Sequence, residues 1–237
     1  MTSPKSWDEY EIKARYVPCL ISVIPLSHFL ILLLGKVFWS TLASDAKWLL
    51  VVSNMGLPLV AVIALIQIQC HIGKQWIEEG VFGQGGKYFP TTDMLLLNGG
   101  LISNDAKNRI RAKATKMFGI NFHDKNMEDA DPEEARLIAR EAVGHVRRRV
   151  GKGVMTHQYN IRYGFMRNLI GGSFWAIFGS AGCVAIYALS SNWKASVPFA
   201  VLALVFLLMF LTKKVVLKKL AFTYADALYT EYTTKTK

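Results

Sequence analysis

Apolar residues fall in four long runs, separated by stretches where charge is dense. The first is Val17–Val37, interrupted by Pro18, Ser22, Pro25, Ser27, His28 and Lys36. The second is Trp48–Cys70 and the third is Leu169–Leu189. The fourth is Val197–Leu211, and it extends to Leu217 if Lys213 and Lys214 snorkel. A helix needs roughly 20 mostly apolar residues to cross about 30 Å of hydrocarbon. Three runs meet that length outright, and the fourth meets it with its basic end. The remaining chain is too short to cover four such runs as buried core helices. The pattern therefore predicts an all-α integral membrane protein with four transmembrane helices and a helical cytoplasmic subdomain between the second and third. The chain divides into an N-terminal segment 1–15, a first transmembrane hairpin 16–70, a basic subdomain 71–167, a second hairpin 168–217 and a tail 218–237.

Within the subdomain, local signals place the helices. The second span continues as helix through Lys74–Ile77 until Gly80, Gly83, Gly85 and Gly86 break it. Phe89-Pro90-Thr91-Thr92-Asp93 reads as a helix entry, with Thr91 or Thr92 capping Met94–Leu97. A second helix runs from Ser103 through Lys116 and stops at Gly119. The third covers Pro132–Val150. Asp131 is its N-cap, Pro132 its first residue, Glu134 completes a capping box, and Gly151 ends it.

Composition and charge then set the orientation. The 237 residues are 52% hydrophobic, and 28 Lys and Arg against 17 Asp and Glu leave a net charge of +11. The two short connections between spans hold only Lys47 and Lys194, whereas His71–Arg167 holds 16 bases and 11 acids. Cytoplasmic loops carry the excess of Lys and Arg, so the subdomain and both termini should face the cytoplasm. The first run starts too late and runs too long for a cleaved leader and reads as a retained anchor.

Candidate chemistry is sparse. Gly85-Gly86-Lys87 lacks the upstream glycine and following hydroxyl of a phosphate-binding loop. Cys19, Cys70 and Cys183 are scattered, and the histidines show no paired ligand spacing, so no metal, cofactor or catalytic residue is expected. The chain does not read as an enzyme. What remains is basic and aromatic. Arg109, Lys113 and Lys116 can share a helix face. Arg147, Arg148 and Arg149 end the best-defined helix, where they suit its dipole or acidic lipid and could also take a specific polyanion. Tyr159, Arg162 and Tyr163 lead into the third span as a membrane-surface belt or a base-stacking surface. In the membrane, His28, Asn54 and Gln67 are polar, and either bridge helices or line a wet path. Gly172, Ala176 and Ser180 recur every four residues, a spacing that lets helices pack closely.

These features resemble the membrane effector of the bacterial Hailong anti-phage defence system. The resemblance rests on the Tyr16-x-Pro18 entry to the first span and the Gly-rich Phe89-Pro90-Thr91-Thr92 turn. It also rests on the capped helix ending in Arg147–Arg149 and on Tyr159-Asn160-x-Arg162-Tyr163. It implies a homotetrameric, channel-like complex in the bacterial inner membrane. A partner nucleotidyltransferase would make short DNA oligomers that hold the complex inactive, and their loss would depolarise the infected cell. The ligand surface expected here comprises Arg109, Lys113, Arg147, Arg148, Arg149, Tyr159, Arg162 and Tyr163. The rival expectation is a non-conducting scaffold whose basic surface binds acidic lipid or a protein partner. A transporter with His28 and Asn54 near its substrate is the third.

Overall fold

The computed structural model describes residues 9–41 and 63–234, and the side chains of 9–33 and 63–234. Asn54 and most of the second apolar run lie outside the described residues. Among those residues the protein is all-helical, with no strand. A π-helical turn, Glu11–Tyr16, leads into α1, Val17–Thr41. Residues 63–72 form α2, which passes into a second π-helical turn, Gly73–Glu78, and a short helix, Glu79–Phe82. Then come α3 (Asn104–Phe118), α4 (Lys125–Ala130), α5 (Pro132–Val150), α6 (Val154–Gly171), α7 (Ser173–Leu189), α8 (Trp193–Leu211) and α9 (Lys213–Thr234). The chain forms two compact units, Met1–Ile77 with Gly164–Lys213, and Glu78–Tyr163 with Lys214–Lys237.

In the first unit α7 packs between α1 and α8. Glycine makes the α1 contact close: a Cβ at Gly179 would overlap the backbone of Pro25 and Leu26, and one at Gly182 would overlap the Phe29 ring. On the other side, Phe206 of α8 packs with Leu169 and Ala176. Glu11–Leu33 and Trp193–Leu211 are each long and apolar enough to cross a membrane. The third run is not one straight span. Leu169–Gly171 finish α6, and α7 begins at Ser173 after a bend of 45°. The bend falls at Gly171-Gly172, where side chains would strike Gln69, Gly73 and Ser22. Counted together, the bent pair makes a third candidate span.

The second unit is built around α3, α5 and α9. Ser103 caps α3 by accepting the Ala106 N–H at 3.3 Å, and Gly119, at φ +70°, closes its far end in the left-handed conformation. Asp131 accepts the Glu134 N–H at 3.0 Å and Pro132 opens α5. Ala135, Ala139, Ala142, Val143, Val146 and Val150 form one buried stripe along α5. The Phe89–Leu97 segment differs from expectation. Pro90–Asp93 is the helical turn, entered from an extended Phe89, and Met94, Leu95 and Leu96 plug the core from non-helical backbone. The cap is Phe89, two or three residues before the expected Thr91 or Thr92, because proline favours the first helical position, where its missing N–H needs no partner.

The largest correction concerns the expected tail 218–237. Through Thr234 it is helix, and Leu217, Ala221, Tyr224, Ala225, Leu228, Tyr229 and Tyr232 lie in the core of the second unit. Their spacing of three and four residues forms a single stripe. This helix also caps another. The Glu231 carboxylate accepts the Met155 N–H at 2.9 Å, the Thr156 N–H at 3.3 Å and the Thr156 hydroxyl at 2.6 Å. It thereby meets the unpaired donors at the start of α6. A Cβ on Gly153 would overlap that carboxylate. Glu231→Ala and Gly153→Ala should each lower stability by about 1–2 kcal/mol. Gly100→Ala, where the new methyl meets open space, should change it by less than about 0.5 kcal/mol. Unfolding of the detergent-solubilised protein, followed by tryptophan fluorescence, would measure all three.

Candidate functional site

The basic and aromatic residues expected to form one surface are divided by the fold into structural and solvent-facing sets. Arg147 is exposed, as Arg148 and Arg149 are, but its contacts place it in the first. Its guanidinium lies over the Phe89 ring at 5.8 Å and the Tyr224 ring at 5.6 Å, and it donates to the Thr91 hydroxyl at 3.3 Å. Thr91 is also held from below, where the buried Tyr229 hydroxyl donates to its carbonyl. Burial raises the Tyr229 phenol above its ordinary range, so it stays a neutral donor. Tyr163 is structural as well. It is 4% exposed, stands edge-on to Phe89 at 5.4 Å and donates to Glu78 Oε2 at 2.8 Å. A ring so enclosed cannot stack on a base.

Lys113 closes the end of α9. Its ammonium donates to the Tyr232 carbonyl at 2.6 Å and the Thr233 carbonyl at 3.2 Å, and sits over the Tyr232 ring. Cations at a helix C-terminus satisfy carbonyls that the helix leaves open. Arg109, one turn earlier, is exposed. The two line a cavity of about 550 Å³ with Asp226, Thr230, Thr233 and an apolar floor of Met94 and Ile110. Arg162 is exposed over the half-buried Tyr159 at 5.3 Å. Arg148 and Arg149 are exposed and make no hydrogen bond or ion pair among the described residues. The structure thus pairs Arg109 with Lys113, pairs Tyr159 with Arg162, and joins Arg147 and Tyr163 through Phe89.

Sequence reasoning missed the bases that are buried. Lys107 is 1% exposed and donates to the Leu97 carbonyl at 3.0 Å and to the Gly99 carbonyl. Burial pushes its ammonium below the usual lysine range, with Glu128 acting in the opposite sense. Arg111 pairs with Glu128 at 2.7 Å and donates to the His123 carbonyl, while Glu128 accepts the Leu97 N–H at 2.8 Å. These three side chains hold two loops against α3. Spacing offered one clue: Lys107, Arg111 and the core residues Ile110 and Ala114 share a face, opposite the exposed Arg109 and Lys116.

In the first unit, His28 is an interhelical bridge. Its Nε2 lies 2.8 Å from the Tyr187 hydroxyl, and its ring stacks on Phe199 at 5.0 Å. Gln67 is exposed, and among the described residues the glutamine that joins helices is Gln69. Gln69 is fully buried, accepts from the Ser22 hydroxyl at 2.9 Å and donates to the Asn168 carbonyl at 2.8 Å. Asn168, also fully buried, donates to the Ala14 carbonyl at 2.6 Å. Ile66, Gln69 and Gly73 lie on one face of the helix at three- and four-residue spacing, and all three are buried. Gly172, just before α7, and Ala176 and Ser180 within it are all buried. The Ser180 hydroxyl has no partner among the described residues.

No protein-family model, curated protein or solved structure matches the chain. Among the described residues no group of three or more His, Cys, Asp or Glu is placed to hold a metal ion.

Asn168→Ala should cost about 1–3 kcal/mol, because it leaves the Ala14 carbonyl without its buried donor. Gln67→Ala should change stability by less than about 0.5 kcal/mol. Thermal unfolding in detergent checks the contrast.

Proposed function

We propose that the protein is a ligand-controlled effector of the bacterial inner membrane. Four helices cross the bilayer, and both termini and the unit built on α3, α5 and α9 lie in the cytoplasm. Copies assemble around a conducting path, as a tetramer by the resemblance to the Hailong effector. A short DNA oligomer made by a partner nucleotidyltransferase, or another polyanion, governs whether the path is open, and its loss on phage infection disrupts the membrane. The observation that supports this reading is the pair Arg148 and Arg149. They are two exposed cations that make no hydrogen bond or ion pair among the described residues, at the end of a capped helix, in a unit joined covalently to helices apolar enough to span a membrane. A polyanion controls such a complex only if it binds one state better than the other. Phosphates bridging arginines on neighbouring copies supply that difference.

The internal roles of Lys113 and Arg147 favour a second reading. With those two committed, the remaining bases are a looser set that suits acidic lipid or a protein partner, and the protein would then be a non-conducting scaffold. Ion flux from liposomes separates the two, since a scaffold leaks under no ligand condition.

Arg148→Glu with Arg149→Glu tests the ligand surface while leaving Arg147 on Phe89 and Tyr224. The double variant should lose at least about tenfold in affinity for labelled short DNA oligomers, measured by fluorescence anisotropy on the detergent-purified protein. It should still fractionate with membranes. Unchanged affinity removes this pair from the site. Equal, steeply salt-dependent binding of DNA, RNA and polyphosphate indicates a generic charged surface.

A further inference from the structure

Helix α9 begins one residue after α8 ends, and Thr212 is the break. One side of its first turns enters the core, where Leu217, Ala221 and Tyr224 are buried. The opposite side has an unusual make-up. Val215 is 73% exposed and Phe222 is 39% exposed, and Lys218 and Lys219 are exposed beside them, while Lys214 is exposed at the start of the helix, outside this arc. At 100° per residue, Lys218, Phe222, Val215 and Lys219 fall within about 100° of arc, with the two apolar side chains between the two lysines. No acid occurs from Lys213 to Ala225; Asp226 is the first. A soluble surface helix would have polar residues at positions 215 and 222 and acids among its lysines. This face is what a helix needs at a bilayer surface, where an apolar centre enters the headgroup boundary and flanking cations meet anionic headgroups.

We infer that the face of α9 formed by Val215, Lys218, Lys219 and Phe222, together with Lys214 at the start of the helix, docks on anionic phospholipid headgroups of the leaflet from which α8 emerges. The chain length enforces proximity. Lys214 is three residues beyond Leu211, so even a fully extended link keeps it within about 11 Å of the end of α8. The charge is complementary to an anionic leaflet. The other side of the same helix carries core residues of the second unit, so the contact fixes how that unit's core helix meets the membrane. The inference rests on α8 crossing the bilayer, which is part of the function proposed above, and it is independent of the DNA ligand.

The test uses the full chain, delipidated in detergent and titrated with phosphatidylglycerol or phosphatidylcholine, with bound lipid counted by native mass spectrometry. Wild type should retain phosphatidylglycerol preferentially. A lysine near an anionic leaflet is worth roughly fivefold in affinity. Lys214→Gln with Lys218→Gln and Lys219→Gln should therefore reduce phosphatidylglycerol retention by about tenfold or more and leave phosphatidylcholine unchanged. Its unfolding temperature should match wild type, because these side chains make no core contact. Phe222→Ser should weaken retention of both lipids. Equal retention of the two lipids by wild type, or an unchanged preference in the triple variant, overturns the inference. So does loss of DNA affinity in the triple variant with lipid preference intact, which would place these lysines on the polyanion surface. Extraction of the protein from membranes by alkaline carbonate would instead count against the spanning reading itself.

Discussion

The hydroxyl of Tyr229 lies among protein atoms, and the Thr91 carbonyl accepts its hydrogen bond. Much of the second unit depends on that seat being filled. It fixes α9 against the Pro90–Asp93 turn, and α9 in turn supplies Leu228 and Tyr232 to the core shared with α3 and α5. Once α9 is in place its open carbonyls need a cation, which is Lys113, and Glu231 reaches the start of α6. The requirement that buried polar groups find partners thus assigns individual charged residues to structural work. It also decides which bases stay available to a ligand. Lys113 and the exposed Arg147 are engaged by the framework, whereas the exposed Arg148, Arg149 and Arg109 make no hydrogen bond or ion pair among the described residues.

The same constraint operates in the first unit with fewer means of meeting it. Ser22, Gln69 and Asn168 are all buried, and they satisfy one another and the Ala14 carbonyl. The chain is irregular at this cluster. Ala14 lies in one π-helical turn, Gly73 opens the other, and the Gly171-Gly172 bend adjoins both Gln69 and Ser22. A π-turn adds a residue to the helix and resets which side chains face inward. Glycine removes the Cβ that would keep the segments apart. Three apolar segments are thereby fastened at one polar cluster, next to the place where α6 and α7 part by 45°.

Features decided within a few residues were readable from the chain. The bounds of α3 and α5 followed from Ser103, Gly119, Asp131 and Pro132, because caps act on donors and acceptors one turn away. The candidate ligand surface was legible only in part. A run of three arginines marks a basic helix end, but which of them turns onto Phe89 and Tyr224 depends on rings 58 and 77 residues from Arg147. Lys107 and Arg111 carried the same charge signal as Arg109, yet they enter the interior because loop carbonyls and Glu128 converge there.

The sequence by itself determined that the protein is helical, that its apolar runs are too long for an ordinary soluble core, and where the capped helices begin and end. Those properties depend on composition and on neighbours within a turn. Tertiary structure alone decided that the segment after residue 217 is a core helix rather than a tail. It likewise decided that Gln69 rather than Gln67 joins helices of the first unit, and that the third run bends at Gly172. Each outcome turns on partners distant in the chain: Thr91 for Tyr229, Asn168 for Gln69, Ser22 for the Gly172 bend. No local pattern reports such a partner, because burial of a polar group becomes favourable only when its complement arrives from elsewhere in the fold.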